Sequence, residues 1–375
     1  MALTKTPRLI PIALNGDLQR GGYVLTGEVH GDTDAVAYPD NWRLMGKSGA
    51  EFVDAAWREI INCHLIGEPD DIEFGRYQSK AVVTAGTMDR LLDGESLQAI
   101  GFTDQSSPAN DHQVNGLTLA HIVEHIIEAH CNVVYDATDM PDGVITTTTI
   151  DTTNSTPVNR YNVKQSDSIW KSIQSIGGGE SGGEFYRAWF NRKNHFYYQP
   201  APPFWQVVNT SKGTIDADHI RGQMSVKRVA NEPGKRIGQV VLTAFEDDET
   251  EYVGEYPTDA GDGKIYRMNS GVIAQGQVRV DALTQRLYQW LTRLYMLQVE
   301  VDPGLILFGD DGDGLDLADK ITVNYRGPAQ DAISGAGVAI DLNFVDFFVY
   351  GVDIKFDANG KAAQGFLTLE YDPTQ

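Results

Sequence analysis

The spacing of apolar residues between positions 277 and 327 changes from a helical period to a strand-like one. Asp281 is a residue type that caps helices, and the apolar positions after it are Leu283, Leu287, Trp290, Leu291, Leu294 and Leu297. This three- and four-residue spacing predicts an amphipathic helix over residues 281–297. The helix has about four turns at 3.6 residues per turn.

The segment after this helix alternates with a period of two. Residues 298–301 predict a strand, residues 302–304 a turn, and residues 305–308 a second strand. An acidic, glycine-rich loop covers residues 309–314. The alternation over residues 315–325 predicts a third strand.

Strand and turn signals dominate the N-terminal third of the chain. Residues 9–14 and 21–29 predict a hairpin closed by an Asn-Gly-Asp turn. Helical spacing near residues 49–64 indicates a helical insertion, and residues 77–85 alternate as a strand. The sequence therefore predicts a β domain with an inserted helix.

The middle of the chain mixes helices with aromatic strands. Residues 117–130 predict a helix, and a short helix opens at Ser166 and ends at the glycine-rich residues 177–183, which we interpret as a hinge. Residues 185–190 and 195–199 predict an aromatic hairpin. This order is typical of a small α/β domain.

The C-terminal part returns to strands. Residues 223–229 and 238–245 predict strands, and residues 246–263 an acidic loop. Residues 344–356 and 365–371 predict a hairpin, because an Asn-Gly pair between them supplies the positive φ angles of a tight turn.

Composition supports a folded chain and limits its partners. With 375 residues, 41% of them hydrophobic, the chain is long enough for two or three domains of ~100–200 residues. Its 52 acidic and 30 basic residues give a net charge of −22, which disfavours stable binding to DNA or to an anionic membrane. A negative surface still allows DNA to slide past without binding.

The two cysteines and the N-terminus indicate folding in a reducing cytosol. Cys63 and Cys131 lack the spacing of a metal or redox motif. We expect neither a signal peptide nor a membrane span, since no apolar stretch is long enough.

Residues 121–125 form the sharpest enzymatic signal. His121 and His125 are spaced to share a helix face and bind zinc, with Glu124 as a general base. No third ligand is evident in the sequence, and three polar residues on one flank of an apolar helix also fit a solvated or interfacial surface. A zinc-dependent hydrolase is therefore the rival to a non-enzymatic function.

Other chemistry-bearing groups have ordinary structural explanations. The acidic residues 310–316 could bind calcium, but their spacing departs from an EF-hand and favours a solvated turn. Glu180 and Glu184 are a candidate pair for glycoside hydrolysis, with no signal for their separation in space.

An aromatic cluster suggests a carbohydrate platform, a protein core or a subunit interface. Its members are Phe185, Tyr186, Trp189, Phe190, Phe196, Tyr197, Tyr198, Phe204 and Trp205. A carbohydrate-binding module requires these rings to be exposed, whereas core packing buries them.

Two stretches resemble phage baseplate and tail-tip hub proteins. VDALTQRLYQWLTRL followed by VEVDPGLILFGDDGDGLDLADKITV is similar to the end of these proteins, where a long helix crosses between two β-barrel-like tube domains. The strand after that helix is of the GDxIxV type in the family, and here Ala318 replaces the usual glycine. SDSIWKSIQSI with GGEFYRAWFNRKNHFYY resembles the small domain inserted into the first tube domain.

The resemblance implies an α+β fold, mainly β, with two tube-type β-barrel-like domains. Residues 1–110 correspond to the first tube-like domain with its helical insertion near residues 49–64, and residues 111–208 to the inserted α/β domain. Residues 209–375 correspond to the second tube-like domain, with a buttressing helix at 281–297 and strands shared with the first.

The resemblance also implies a structural role in the virion tail. Family members form homotrimers that close or continue the tail tube, with DNA passing through the lumen. The implied partners are the tail tube or distal tail protein, the tape measure protein, and spike or fibre proteins. We therefore expect a non-enzymatic virion protein, assembled in the host cytoplasm, with no cofactor and no catalytic, cofactor-binding or metal-ligating residues.

Overall fold

The computed structural model describes most of the chain in separate ranges. These are residues 8–31, 41–46, 58–66, 71–74, 79–94, 100–104, 112–114, 116–134, 150–152, 155–158, 160–163, 168–178, 184–200, 211–228, 237–246, 249–261, 263–270, 276–292, 295–309, 314–325 and 342–371.

The described residues form an α+β fold that is mainly β, as the sequence predicts. The strands are β1 Arg8–Asp17, β2 Gly22–Gly31, β3 Asn41–Gly46, β4 Arg58–Leu65, β5 Asp71–Phe74, β6 Ser79–Gly86, β7 Ile100–Asp104, β8 His112–Val114, β9 Arg160–Val163, β10 Tyr186–Phe190, β11 Phe196–Pro200, β12 Thr214–Asp216, β13 Ile220–Arg228, β14 Ile237–Phe245, β15 Glu251–Tyr256, β16 Lys264–Asn269, β17 Tyr295–Val301, β18 Lys320–Tyr325, β19 Leu342–Phe356 and β20 Ala362–Tyr371. The helices are α1 Met88–Gly94, α2 Leu119–Val134, α3 Ile169–Gly177, α4 Gln277–Thr292 and α5 Pro303–Phe308.

One large sheet, the main sheet, joins strands from both ends of the chain. Its path runs β13-β17-β20-β19-β1-β2-β6-β4-β3, with β18 and β12 attached through β19 and β5 through β6. β1 is antiparallel to both neighbours, so that Ala13 lies opposite Thr26 of β2 and Lys355 of β19. The N-terminal and C-terminal strands therefore share one hydrogen-bond network.

The core of the main sheet follows from the period-two alternation of its strands. Apolar side chains that point to one face are buried in a common cluster, among them Leu14, Leu25, Val299, Val352, Ile354, Leu367 and Leu369. Burying each such side chain contributes about 1.5–3 kcal/mol relative to leaving it exposed. The opposite face of these strands carries mostly polar residues, with Val24 and Phe366 among them.

A second core is assembled from residues between Met88 and Tyr198. It contains helices α1, α2 and α3 together with the hairpin of β10 and β11. Ser168 caps α3 by accepting a hydrogen bond from Lys171 N, and Trp170 packs against Phe190 with ring centroids 5.5 Å apart.

The third core lies between helix α4 and a small three-stranded sheet of order β15-β14-β16. Val280, Leu283 and Leu287 point from α4 towards Val240 and Leu242 of β14, and all five side chains are buried. The amphipathic pattern of α4 thus matches the alternation of β14.

Most of the predicted hairpins are confirmed. Residues 9–29 form the pair β1 and β2, residues 185–199 the pair β10 and β11, and residues 344–371 the pair β19 and β20. The helix predicted over residues 117–130 is α2. In the last hairpin Gly360 has a positive φ angle of 75°, but Asn359 is not among the residues with a positive φ angle, so the Asn-Gly pair supplies one such angle and not two.

The helical insertion expected near residues 49–64 is wrong for its second half, because β4 covers Arg58–Leu65. Residues 51–57 lie outside the described ranges. Successive residues of β4 are buried: Ile60, Ile61, Asn62 and Cys63. A strand that is buried on both faces shows no alternation of apolar and polar residues. Its continuous apolar run cannot be distinguished from a helix segment by periodicity alone.

The second strand predicted at residues 305–308 is also wrong, since this segment is helix α5. Asp302 caps the helix by accepting a hydrogen bond from Gly304 N at 2.8 Å, and a proline occupies its first turn. The strand predicted over residues 315–325 begins only at Lys320.

The boundaries of the helix predicted at residues 281–297 differ from the observed ones. Helix α4 begins at Gln277, so Asp281 lies inside it and does not cap it, and Leu297 belongs to β17. The acidic segment at residues 246–263, expected as a loop, contains strand β15. Tyr252 of β15 packs against the third core.

Candidate functional site

The main sheet presents a largely polar face on the side opposite its core, interrupted by Val24, Val82 and Phe366, and we call it the polar face. The half-exposed or exposed residues that form it are Asn15, Thr26, Glu28, Lys80, Thr84, Gln298, Glu300, Asp353, Lys355, Gln364 and Thr368. They alternate with the buried residues of the first core. The face spans six neighbouring strands from β17 to β6.

Charges of both signs on the polar face offset one another. Lys80 Nζ lies 2.8 Å from Glu28 Oε1, and His30 Nε2 lies 3.2 Å from Glu28 Oε2. The hydrogen bond from Lys80 lowers the pKa of Glu28 below its ordinary value. Asp353 and Lys355 are further opposite charges on β19. The described part of this face is therefore mostly polar, and its charges are mixed in sign.

A buried junction connects β2, the turn of the β10–β11 hairpin and the residues after α5. The Tyr23 hydroxyl donates to Asp316 Oδ1 at 2.8 Å and accepts from Leu317 N at 3.0 Å. The backbone N–H of Arg192 donates to Asp316 Oδ2 at 3.0 Å, and Arg192 Nε lies 3.6 Å from the same oxygen. Burial, followed by the charge of Asp316, raises the pKa of Tyr23.

Asp316 is a structural residue of this junction. We interpreted residues 310–316 as a solvated turn, which is wrong for Asp316, while residues 310–313 lie outside the described ranges. Asp316 N donates to Asp319 Oδ2 at 2.6 Å, and Lys212 Nζ lies 3.0 Å from the same Asp319 oxygen. Burial raises the pKa of Asp319 to about 6 despite Lys212.

The start of α1 adjoins the same junction. Tyr23 N donates to Thr87 Oγ1 at 2.8 Å, and Thr87 Oγ1 donates to Asp89 Oδ1 at 2.5 Å. Met88 N donates to Asn194 Oδ1 at 2.8 Å, which ties α1 to the β10–β11 turn. Burial raises the pKa of Asp89 to about 7.

Glu184 forms a second buried polar cluster between the second core and α4. Its carboxylate accepts hydrogen bonds from Ser155 Oγ, Thr156 N and Tyr198 OH, the last at 2.7 Å. Arg279 of α4 donates to Thr156 Oγ1 at 2.8 Å. Burial raises the pKa of Glu184. Glu180, its candidate glycosidase partner, and the hinge residues 179–183 lie outside the described ranges.

The histidines of the zinc hypothesis have local structural contacts. His121 Nδ1 lies 2.9 Å from Thr118 Oγ1, and the His125 ring lies against Phe102 with centroids 6.4 Å apart. Burial and the charge of Glu128 raise the pKa of Glu124. Within the described ranges, no three His, Cys, Asp or Glu side chains lie close enough together to hold a metal ion.

The predicted aromatic platform is largely interior. Six of its side chains are at most 2% exposed: Phe185, Tyr186, Trp189, Phe190, Phe196 and Tyr198. Tyr197 stacks on Trp189 with an interplanar angle of 9°, and residues 204 and 205 lie outside the described ranges. These six rings pack the interior and offer no open face to a sugar.

None of the helices formed by the described residues combines the length and the apolar character that crossing a membrane requires. Of the two cysteines, Cys63 is buried in the core of the main sheet.

The fold is that of phage tail proteins, which confirms the resemblance found in the sequence. The tail protein from Neisseria meningitidis MC58 is similar over 97% of this chain and 93% of its own, with 10% identity and a TM-score of 0.61. The 43 kDa tail protein of prophage MuSo2 from Shewanella oneidensis is similar over 96% of this chain and 93% of its own, with 11% identity and a TM-score of 0.53.

A chain of the half-lidded Francisella PdpA-VgrG complex has the same fold. It aligns with 98% of this chain and 54% of its own length, at 8% identity and a TM-score of 0.52. No protein-family model and no curated protein matches the sequence. The likeness therefore lies in the fold.

Replacing Tyr23 by Phe should destabilise the protein by about 1–3 kcal/mol, because the two buried hydrogen bonds of its hydroxyl, to Asp316 Oδ1 and from Leu317 N, are lost. Urea denaturation measures the change. Tyr350→Phe is the control, since its hydroxyl bonds to Gln19 at an exposed position, and we expect a change below about 0.5 kcal/mol. Equal effects of the two variants contradict a buried junction.

Asp89→Asn should flatten the dependence of stability on pH. The pKa of Asp89 is raised to about 7, so between about pH 4 and pH 7 the folded chain keeps a proton that the unfolded chain releases. Its contribution to stability is greatest below about pH 4 and falls by roughly 2–4 kcal/mol as the pH rises through 7. Urea denaturation at pH 5 and pH 8 compares the two proteins. Identical losses in wild type and variant are incompatible with a buried, protonated Asp89.

Proposed function

We propose that this protein is a structural hub of a phage tail, located at the baseplate or tail tip. The observation that carries the proposal is the similarity of fold to two tail proteins over nearly the whole length of both chains. In this role three copies form a ring that closes or continues the tail tube. The ring connects the tube to spike or fibre proteins.

The ring is built by two tube-like domains in each chain. In this proposal residues 1–110 and residues 209–375 form the tube-like domains, and residues 111–208 are inserted between them. The pairing of β1 with β19 supports strands shared between the two domains. The second core supports a separately packed unit in the middle of the chain, against which Met88, Leu91, Leu92 and Phe102 of the first domain also pack.

The polar face is proposed to line the lumen through which DNA passes. Its amide and hydroxyl side chains hydrogen-bond water, and the Glu28 carboxylate is paired with Lys80. Tight binding of DNA depends on Lys and Arg that neutralise phosphates. A face on which basic residues are matched by acidic ones allows DNA to move without being held.

The proposed partners follow from this position in the tail. They are the tail tube or distal tail protein on one side, spike or fibre proteins on the other, and the tape measure protein within the tube. The protein acts without an enzymatic step and resides in the virion after assembly in the host cytoplasm. A chain of the Francisella PdpA-VgrG complex shares this fold, which supports a place for the protein within a larger assembly.

Gold-labelled antibodies against the protein should bind the distal end of the tail in electron micrographs of its particles. Light scattering of the purified protein should give a mass of about three times 41.3 kDa. An antibody against a capsid protein is the control for the position of the label. Label on the capsid, or on empty background only, contradicts the tail-hub proposal.

A further inference from the structure

The small sheet of the third core exposes apolar side chains on the face turned away from α4. Phe245, Val253 and Ile265 are 44%, 41% and 47% exposed. Each of the three strands contributes one of them. Among the described residues, β15 and β16 each pair only with β14, so both edges of the small sheet are unpaired.

The two edges carry opposite charges. On β15, the exposed residues Glu251 and Glu255 flank Val253. On β16, Lys264 and Arg267 are exposed. Charges on an edge strand normally deter pairing with other strands. Two copies of this sheet repel each other when two acidic edges or two basic edges meet. They attract each other when the acidic edge of one copy meets the basic edge of the other.

The hydrogen bonds at one end of β15 show which of its backbone groups face outwards. Glu246 N donates to Thr250 O at 3.0 Å, so the even-numbered residues of β15 are the ones bonded to β14. Glu251, Val253 and Glu255 therefore direct their N–H and C=O groups to the free edge. Their side chains lie on the face turned away from α4, where Gln239 and Val241 of the central strand β14 are buried between the two edge strands.

The same argument applies to β16. Ser270 N donates to Thr243 O at 2.7 Å, so the even-numbered residues of β16 bond to β14. Ile265 and Arg267 thus direct their backbone groups to the other free edge. The odd-numbered residues of both edge strands are available for pairing, and they point to the same face.

We propose that β16 of one copy of this chain pairs antiparallel with β15 of a second copy, with Val253 opposite Ile265. This register places Glu251 opposite Arg267, so that an acid meets a base and an apolar residue meets an apolar one. On the face towards α4 it places Tyr252 opposite Tyr266. In this register the outward-facing backbone groups can hydrogen-bond, opposite charges face each other, and apolar side chains face apolar side chains.

We infer that the partner at each edge is a second copy of this chain, because one chain carries both complementary edges, β15 and β16. Such a head-to-tail contact uses two different patches and closes into a ring when the rotation between copies allows it. This inference rests on the ring proposed above, and it assigns β15 and β16 as the strands that join neighbouring chains in that ring. An unrelated protein that adds a strand to one edge is the alternative that the experiments exclude.

A cysteine pair tests the register directly. We expect the double variant Val253→Cys, Ile265→Cys to form disulfides between copies, since facing residues in this register have Cα atoms about 5.5 Å apart. Within one copy these residues lie on either side of β14, about 9.5 Å or more apart, too far for a disulfide. Non-reducing electrophoresis should show dimers and trimers.

The matched control is Val253→Cys, Asn269→Cys. It moves the second cysteine four residues along β16, and Asn269 also lies across β14 from Val253. We expect monomers only. The wild type, with Cys63 and Cys131, gives the background. Equal cross-linking of both double variants overturns the register.

Charge reversal tests the contact without a disulfide. Glu251→Arg or Arg267→Glu alone should weaken self-association about tenfold in sedimentation velocity, and the two together should restore it to within about twofold. Glu255→Arg is the matched control, because Glu255 faces Gly263 in this register, and it should change association less than about twofold. Failure of the double variant to recover overturns the pairing.

The outcomes separate this inference from the tail-hub proposal. A stable trimer that is insensitive to Glu251 and Arg267 and forms no Val253–Ile265 disulfide places the contact elsewhere, and it overturns the inference while the hub remains. A protein that stays monomeric and forms no disulfide overturns both the pairing and the ring. Label at the tail end still tests the location independently.

Discussion

Side chains on the long strands of the main sheet point alternately to the core and to the solvent, and this alternation links stability to function. Leu367 and Leu369 of β20 are buried, whereas Thr368 between them belongs to the polar face. A shift of one residue in any strand pairing exchanges the two sets. Burial of the apolar set therefore fixes the register, and the register decides which side chains the polar face presents.

Buried polar contacts decide how the second core sits on the main sheet. Asp316 receives hydrogen bonds from Tyr23 and from the backbone of Arg192, so three distant segments meet at one carboxylate. Arg187 of β10 also lies 3.4 Å from Glu370 of β20, and both side chains are nearly inaccessible to water. Groups of this kind are costly to bury without their partners. They favour one placement of the hairpin over others of similar apolar area.

The sequence predicts best those elements whose signals are local. The hairpin over residues 344–371 and helix α2 have clear periods and turn residues, and both are found. Strand β4 was not predicted because it is buried on both faces and shows no alternation. Helix α5 was not predicted because its capping residue and the proline in its first turn are also typical of a hairpin turn. The hydrogen bond between Tyr23 and Asp316 could not be predicted from the sequence. The two residues are 293 positions apart, and no local pattern near either one indicates the contact.

Strand β1 pairs with β19, so that Ala13 lies opposite Lys355 although the two residues are far apart along the chain. The apolar residues of β1 cannot pack between both neighbouring strands until β19 has been synthesised. A truncated product that lacks β19 and β20 leaves one edge of β1 open and the core around Leu14 incomplete. Loss of these two strands is thus converted into failure to fold, so that shortened copies do not persist as stable, partly complete proteins.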